Sequence, residues 1–338
     1  MSPRPGVVRA RTQEGTELPV VDVTHPAFAV HPDEAELERL TRDFVRAAQR
    51  RAWYPGLLTR LFYWLVRRRS ALARGIFDAT GKYVTGMDTY RLKLGPDNLG
   101  PGAGWIDRRI AASLPVLGIR LRLQDVAGLL AESLVPALAA RPGPLHLLNI
   151  GGGPAIDSLN ALLLLRRDHP ERLAGRPVRI HVLDIDAEGP AFGARALAAV
   201  QAPGASLEGL DAGLAHVAYD WNESHRLPAI VAGLLPPDAV VAVSSEGALF
   251  EYGSDEAIAR NLEALGRSTP EDAVVAGSVT REYGPWVRPG FRHAIPVYPR
   301  TREAFAALAR RGGWVVDREI ERPFSRNVRL RKGPAPPS

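Results

Sequence analysis

Residues 147–158 read Leu-Leu-Asn-Ile-Gly-Gly-Gly-Pro-Ala-Ile-Asp-Ser, an apolar run that feeds three glycines and then a helix. Glycines there allow a tight turn and a close backbone approach by a ligand, while the helix N-terminus offers free N–H groups and a positive dipole end. Pro154 suits the first helical turn, where its missing N–H costs little. An ordinary glycine turn is the competing reading of Gly-Gly-Gly alone. The next apolar stretch ends in His181-Val182-Leu183-Asp184-Ile185-Asp186. Asp184 there stands where a carboxylate accepts both ribose hydroxyl protons, and Asp186 is better suited to cap the following helix. A third stretch ends in Tyr219-Asp220-Trp221-Asn222. That suits an adenine whose amino group donates to Asp220 while a ring packs on its face; a turn aspartate beside a partly buried tryptophan is the alternative.

Two nucleotide classes separate on spacing. A dinucleotide fingerprint needs a third glycine or alanine and an acid about 20 residues onward. Here Gly151 and Gly153 fit, but Ile156 holds the third position and Asp184 lies 33 residues beyond Gly151. The loop also carries no Lys or Ser to help cradle a pyrophosphate. An NAD-type oxidoreductase and a non-catalytic binding or RNA-associated protein with a nucleoside-binding fold stand as alternatives to the reading developed below.

These residues are positioned by a regular alternation. Strands are expected at 145–150, 178–185, 215–219, 239–244 and 273–279, with helices at 157–167, 186–199, 256–265 and 302–310. The rhythm then breaks, with strands at 314–321 and 326–331 and no helix between them. The fold class is therefore α/β, a doubly wound, mostly parallel sheet ending in an antiparallel hairpin, with an N-terminal helical extension. Residues 1–32, rich in Pro and polar groups, read as a loosely held arm with a short extended piece at 18–23. A helix follows from Asp33 to the Arg50-Arg51 pair, and another runs through Leu57, Leu61, Trp64 and Leu65 into Arg67, Arg68 and Arg69. Its apolar run is about ten residues, too short for a bilayer span of about 20. It reads as a core helix whose arginines complement its C-terminal dipole, with a helix lying on a membrane surface as the alternative. Further helix is expected over 105–138, broken at Pro115 and Pro136.

The chain has 338 residues, 43 Lys+Arg and 37 Asp+Glu, for a net charge of +6. Residues 1–130 carry +7 and the remainder −1, so the basicity belongs to the extension. Forty of the basic residues are Arg and only Lys82, Lys93 and Lys332 are Lys; in so Ala-, Gly- and Pro-rich a sequence this reads as compositional bias, and no nucleic-acid partner is expected. The absence of cysteine removes disulfides, thiolate zinc sites and cysteine nucleophiles. The eight histidines are scattered, so no metal is expected. The first thirty residues lack a signal-peptide core, which leads to the expectation of a cytoplasmic protein.

On the glycine turn, Asp184, the Tyr219-Asp220-Trp221 segment, Ser244-Ser245-Glu246-Gly247 and the closing hairpin, residues 115–332 resemble the class I S-adenosylmethionine-dependent methyltransferases. Arg120 to Asp125 and Ser245 to Tyr252 are in addition similar to segments of the leucine carboxyl and polyketide O-methyltransferase group. The resemblance implies S-adenosylmethionine as cofactor, a Rossmann-like core over 126–332, a helical cap over 33–125 and a tail at 333–338. It implies a cofactor site of Asn149, Gly151, Gly152, Gly153, Asp157, Asp184, Ile185, Asp220, Trp221 and Ser245, with Arg122 pairing with the cofactor carboxylate. Transfer from a sulfonium to an oxygen, nitrogen or carbon is an in-line displacement helped by proximity and a dry cavity. Glu246, Tyr283 and His293 are the expected catalytic groups, with Tyr252 and Glu282 as neighbours of similar standing. The aromatics Trp53, Tyr54, Phe62, Tyr63, Trp64, Tyr83 and Tyr90 suggest a lid over a small, fairly apolar acceptor, or simply packing. A homodimer formed through the N-terminal helices is compatible with the same features.

Overall fold

The computed structural model describes residues 5–51, 64–78, 83–282 and 297–333. Two short strands, β1 (Arg9–Arg11) and β2 (Glu17–Pro19), form an antiparallel pair, and the chain then runs to helix α1 (Glu34–Arg51). Residues 64–69 are helical and lead into α2 (Ala71–Asp78), α3 (Gly86–Lys93), α4 (Trp105–Ala111) and the long α5 (Leu114–Ala140). The alternating region follows as β3 (Leu145–Ile150), α6 (Ile156–Asp168), β4 (Val178–Asp184), α7 (Glu188–Val200), β5 (Ala212–Ala218), α8 (Leu227–Leu234) and β6 (Val240–Ser245). It ends with α9 (Leu249–Tyr252), α10 (Asp255–Ser268), β7 (Val274–Thr280), α11 (Arg302–Arg311), β8 (Trp314–Glu321) and β9 (Ser325–Lys332).

Seven strands form one sheet in the order β5-β4-β3-β6-β7-β9-β8. β3 to β7 run parallel, and β9 inserts antiparallel between β7 and β8. This is a Rossmann-like, doubly wound sheet closed by a hairpin. The chain leaves β3 toward β4 and later returns to β6 on its other side, so the switch point of the sheet lies at the C-terminal end of β3, the place where open α/β sheets bind ligands. β3, β6 and β7 are buried along their whole length, as strands covered on both faces must be.

Three expectations need correction. The break expected at Pro115 is found just before it, where α4 ends at Ala111 and α5 begins at Leu114, but Pro136 does not break α5, which runs unbroken for 27 residues. Pro115 falls in the first turn, whose N–H groups have no helical acceptor, and Pro136 lies within the last two turns. α5 is long and apolar enough to cross a membrane, yet 56% of its most apolar stretch is buried inside the fold, as befits a core helix. The arm is not loose. Val20, Val21 and Phe28 are 1–3% exposed. Val23 N–H donates to Asn160 Oδ1 at 2.7 Å and Asn160 Nδ2 donates to Val21 O at 2.9 Å. Tyr90 Oη donates to Pro19 O at 2.5 Å and accepts from Val21 N–H at 3.1 Å, so residues 19–28 form a strap across α3 and α6. Finally, the helical segment 64–69 is not core: Trp64 is 51% and Leu65 40% exposed.

Candidate functional site

The turn after β3 is built from three left-handed residues, Gly151 (φ 67°), Gly153 (φ 55°) and Ala155 (φ 51°). Pro154 therefore precedes the helix rather than opening it, and Ala155 is the residue before Ile156. Gly153 is required by crowding as well. A Cβ on Gly86 of α3 would stand 2.6 Å from the Gly153 Cα, and one on Gly189 of α7 would stand 2.7 Å from it. Three backbones thus meet at the turn without a side chain between them. Beneath it, Asn149 Nδ2 donates to Asp157 Oδ1 at 2.7 Å and to Ser244 Oγ at 2.9 Å. Asn149 Oδ1 and Asp157 Oδ2 are buried with no hydrogen-bond partner. Burial, followed by the nearby Glu246 charge, raises the Asp157 carboxyl above its ordinary value.

The register of β3 and β4 pairs Ile150 with Leu183, so Asp184 projects one residue beyond the central strand. Its Oδ2 accepts from Gly153 N–H and its Oδ1 from Asp186 N–H, both at 3.0 Å. Burial raises its pKa, with these two bonds opposing the shift. Ile185 beside it is 63% exposed. At the end of β5, Asp220 Oδ1 accepts from Asn222 N–H at 2.8 Å and caps the short helical turn at 221–226. Tyr219 Oη donates to Asn261 Oδ1 at 2.5 Å, while Asn261 Nδ2 donates to Trp221 O at 2.7 Å. Asn261 of α10, which sequence reasoning missed, thereby fixes the segment. The Trp221 ring lies over the turn, 2.6 Å from where a Gly151 Cβ would stand. Tyr83 packs edge-on against both Trp221 and Tyr252, with centroids at 5.1 and 5.3 Å. Tyr83, Gly151, Asp184, Ile185, Tyr219, Asp220 and Trp221 line a cavity of about 30 Å³, little more than the space of one water.

A buried charge quartet joins α3, α5, the end of β6 and α9. Lys93 Nζ and Arg122 Nε both donate to Glu246, and Arg122 Nη1 donates to both Glu251 oxygens at 2.8 and 3.0 Å. Ser278 Oγ donates to Glu251 Oε1 at 2.9 Å and accepts from Gly247 N–H at 2.9 Å. Burial pushes the Glu246 carboxyl up, but Arg122 and Lys93 outweigh it and hold the group below its ordinary value. At Glu251 burial prevails over Arg122 and Ser278, and its pKa is raised.

Of the expected cofactor residues, the structure gathers Gly151, Gly152, Gly153, Asp184, Ile185, Asp220 and Trp221 around one sheet edge. Asn149 and Asp157 lie under the turn. Ser245 is a brace, its Oγ donating to Ile150 O at 3.1 Å and accepting from Leu249 N–H at 3.0 Å. Arg122 is engaged through Nε and Nη1 by two glutamates of the protein itself. Glu246, with both oxygens held by cations, does not stand as a free base. Tyr252 is also unsuited, because burial raises its hydroxyl pKa. Tyr283 and His293 lie outside the described residues, as do Trp53, Tyr54, Phe62 and Tyr63; Glu282 is exposed. Tyr90 is fully buried against Phe192 at 4.8 Å and is core, not lid. Among the described residues no cluster of three or more His, Asp or Glu has the arrangement of a metal site.

No protein-family model matches the sequence, and no curated protein does. Among solved structures, the chain is similar to one described as a "possible exported protein" from Bordetella parapertussis, with a TM-score of 0.56 and 17% identity over 90% of this chain and 98% of that one. It is also similar to the mitomycin 7-O-methyltransferase MmcR, at TM-score 0.37 and 16% identity, over 65% of this chain and 57% of that one. A third is the 1,6-didemethyltoxoflavin-N1-methyltransferase of Burkholderia thailandensis, bound to its substrate and S-adenosylhomocysteine, at TM-score 0.40 and 16% identity, over 63% of this chain and 79% of that one. The first extends over nearly the whole of both chains and shows a shared fold.

Proposed function

We propose that this chain is an S-adenosylmethionine-dependent methyltransferase acting on an oxygen, nitrogen or carbon of a small, fairly apolar molecule. The observation that carries the reading is the coincidence at one switch point of a left-handed glycine turn and a carboxylate one residue beyond it on β4, in a sheet closed by an inserted antiparallel strand. The chemistry of the residues fits the cofactor. Asp184 would accept from the ribose hydroxyls, Asp220 from the adenine amino group, and Ile185 and Trp221 would flank the base. The unpartnered Asn149 Oδ1 and Asp157 Oδ2 are acceptors that suit the ammonium of an amino-acid moiety. The cofactor supplies an electrophilic methyl group when bound. The chain's own part is alignment and exclusion of water, for which the apolar edge of Tyr83, Trp221 and Tyr252 is suited. Trp221 and Tyr83 fill the space above the turn, so ligand entry requires these rings to move. Tyr283 and His293 remain the proposed proton acceptors, and a cytoplasmic location, testable by cell fractionation, remains part of the reading.

The test is a thermal shift with S-adenosylhomocysteine, followed in parallel by tryptophan emission. The wild-type melting temperature should rise and the emission should change as Trp221 moves. Asp184→Ala should weaken binding by roughly 10- to 100-fold, the value of one or two hydrogen bonds to a charged group. It should also lower the melting temperature of the free protein, because two backbone N–H groups lose their acceptor. An unchanged ligand shift in that variant refutes the ribose assignment, and no shift in the wild type refutes the proposal. Weaker binding at acid pH is expected too, since the raised Asp184 pKa brings its protonation nearer to neutrality than for an ordinary aspartate.

A further inference from the structure

We infer that the corner where residues 64–78 meet α4 is a docking face for an anionic lipid bilayer. Trp105 is 74% exposed, the largest such value among the big apolar side chains described; Trp64 and Leu65 are 51% and 40% exposed. One buried residue brings these parts of the chain together. Asp107 Oδ1 accepts from Ser70 Oγ at 2.6 Å and from Leu72 N–H at 3.1 Å, while its Oδ2 accepts from Gly104 N–H at 3.1 Å. The starts of α2 and α4 therefore share one carboxylate, which ties Gly104, the residue before Trp105, to Ser70, the residue after the 64–69 helix.

The segments that carry these rings are rich in arginine. Residues 64–78 contain Arg67, Arg68, Arg69 and Arg74 against one acid, Asp78; Arg109 is exposed on α4, Asp107 is spent internally, and Asp88, which approaches Gly75, is paired with Arg91. The Arg68 guanidinium lies 4.9 Å from the Trp64 ring centroid, an arrangement that keeps a cation beside an indole at a water-lipid boundary. Exposed tryptophans with a leucine, bordered by arginines, have the chemistry of an interfacial anchor. A second copy of the chain is disfavoured as occupant, because a two-fold contact would bring the same arginines face to face. A nucleic acid would use the rings for stacking but has no use for the exposed leucine, which an acyl layer accepts.

The experiment is flotation of the full-length protein with vesicles of phosphatidylcholine alone or mixed two to one with phosphatidylglycerol. Binding to the mixed vesicles is expected, weakening as salt is raised. Arg68→Ser and Arg69→Ser should each cost about fivefold in partitioning. Trp64→Ser and Trp105→Ser should each cost about tenfold, with melting temperatures confirming that the exposed substitutions leave the fold intact. Equal binding to neutral vesicles, no binding, or partitioning unaffected by the tryptophan variants would overturn the inference. So would tighter capture of single-stranded RNA by the same residues, or a dimer in light scattering that the variants dissolve.

Discussion

Glu246 is 4% exposed and Glu251 5%, and each remains tolerable at that burial because Arg122 and Lys93 bring matching charge. Gly247 completes the arrangement: its φ is 72°, and any side chain there would collide with the Arg122 guanidinium. Glu246→Gln should destabilise the protein by about 3–5 kcal/mol, since it leaves two buried cations against one anion; urea unfolding measures this. A variant of unchanged stability that had lost only turnover would return Glu246 to the role of base. Little of the quartet was legible in the sequence, for its partners lie 124 to 153 residues apart. Arg122 and Glu246 stood out, but for separate roles and not for each other. Lys93 carried a signal that composition alone offered, as one of three lysines among forty arginines. The place of Asp184 at a strand end was legible, because local patterning reveals strand ends.

The strap formed by residues 19–28 shows where patterning misleads at the level of elements. Its prolines and polar groups read as an unheld arm, yet its backbone hydrogen bonds are satisfied by the side chains of Asn160 and Tyr90, far along the chain. Asn160→Ala should leave Val23 N–H and Val21 O unpaired in the interior, costing about 3 kcal/mol. Hydrogen exchange should show the amides of Val21 and Val23 opening at lower free energy than those of β3; uniform protection would mean that the strap is held by apolar packing alone. The seven strands, by contrast, were readable nearly to the residue. β5 is the exception, beginning at Ala212 rather than Ala215, because its first residues, Ala212, Gly213 and Leu214, are only partly buried and include a glycine, on a strand at the edge of the sheet.

At the scale of the whole molecule, acid should loosen the fold through the histidine pair at the far end of the sheet. His146 Nδ1 and His181 Nε2 are 3.0 Å apart, with the rings stacked at 5.1 Å. Burial, then the charges of His146 and Arg179, lower the His181 pKa to about 4. The unfolded chain binds this proton near pH 6.5, whereas the native protein resists it until about pH 4. Stability is therefore complete above neutrality and falls as pH drops through that window, by up to about 3 kcal/mol from this group. Denaturant midpoints at pH 7 and pH 4.5 would show it, and His181→Gln should shrink the difference between them. An undiminished difference would assign the acid sensitivity to carboxylates instead. The same scale explains the net charge: the extension carries the excess of arginine, and its exposed tryptophans stand among those arginines while the sheet region stays near neutral.

The meeting of Gly86, Gly153 and Gly189 also bears on how this protein can be rebuilt. Exchanging the helical extension for another is one way to redesign such a chain. Here the join has no side-chain layer to absorb a misfit, and a transplanted extension would need a glycine at position 86 and the same backbone path across the turn. The extension is better altered by changing its resident side chains than by grafting a foreign one.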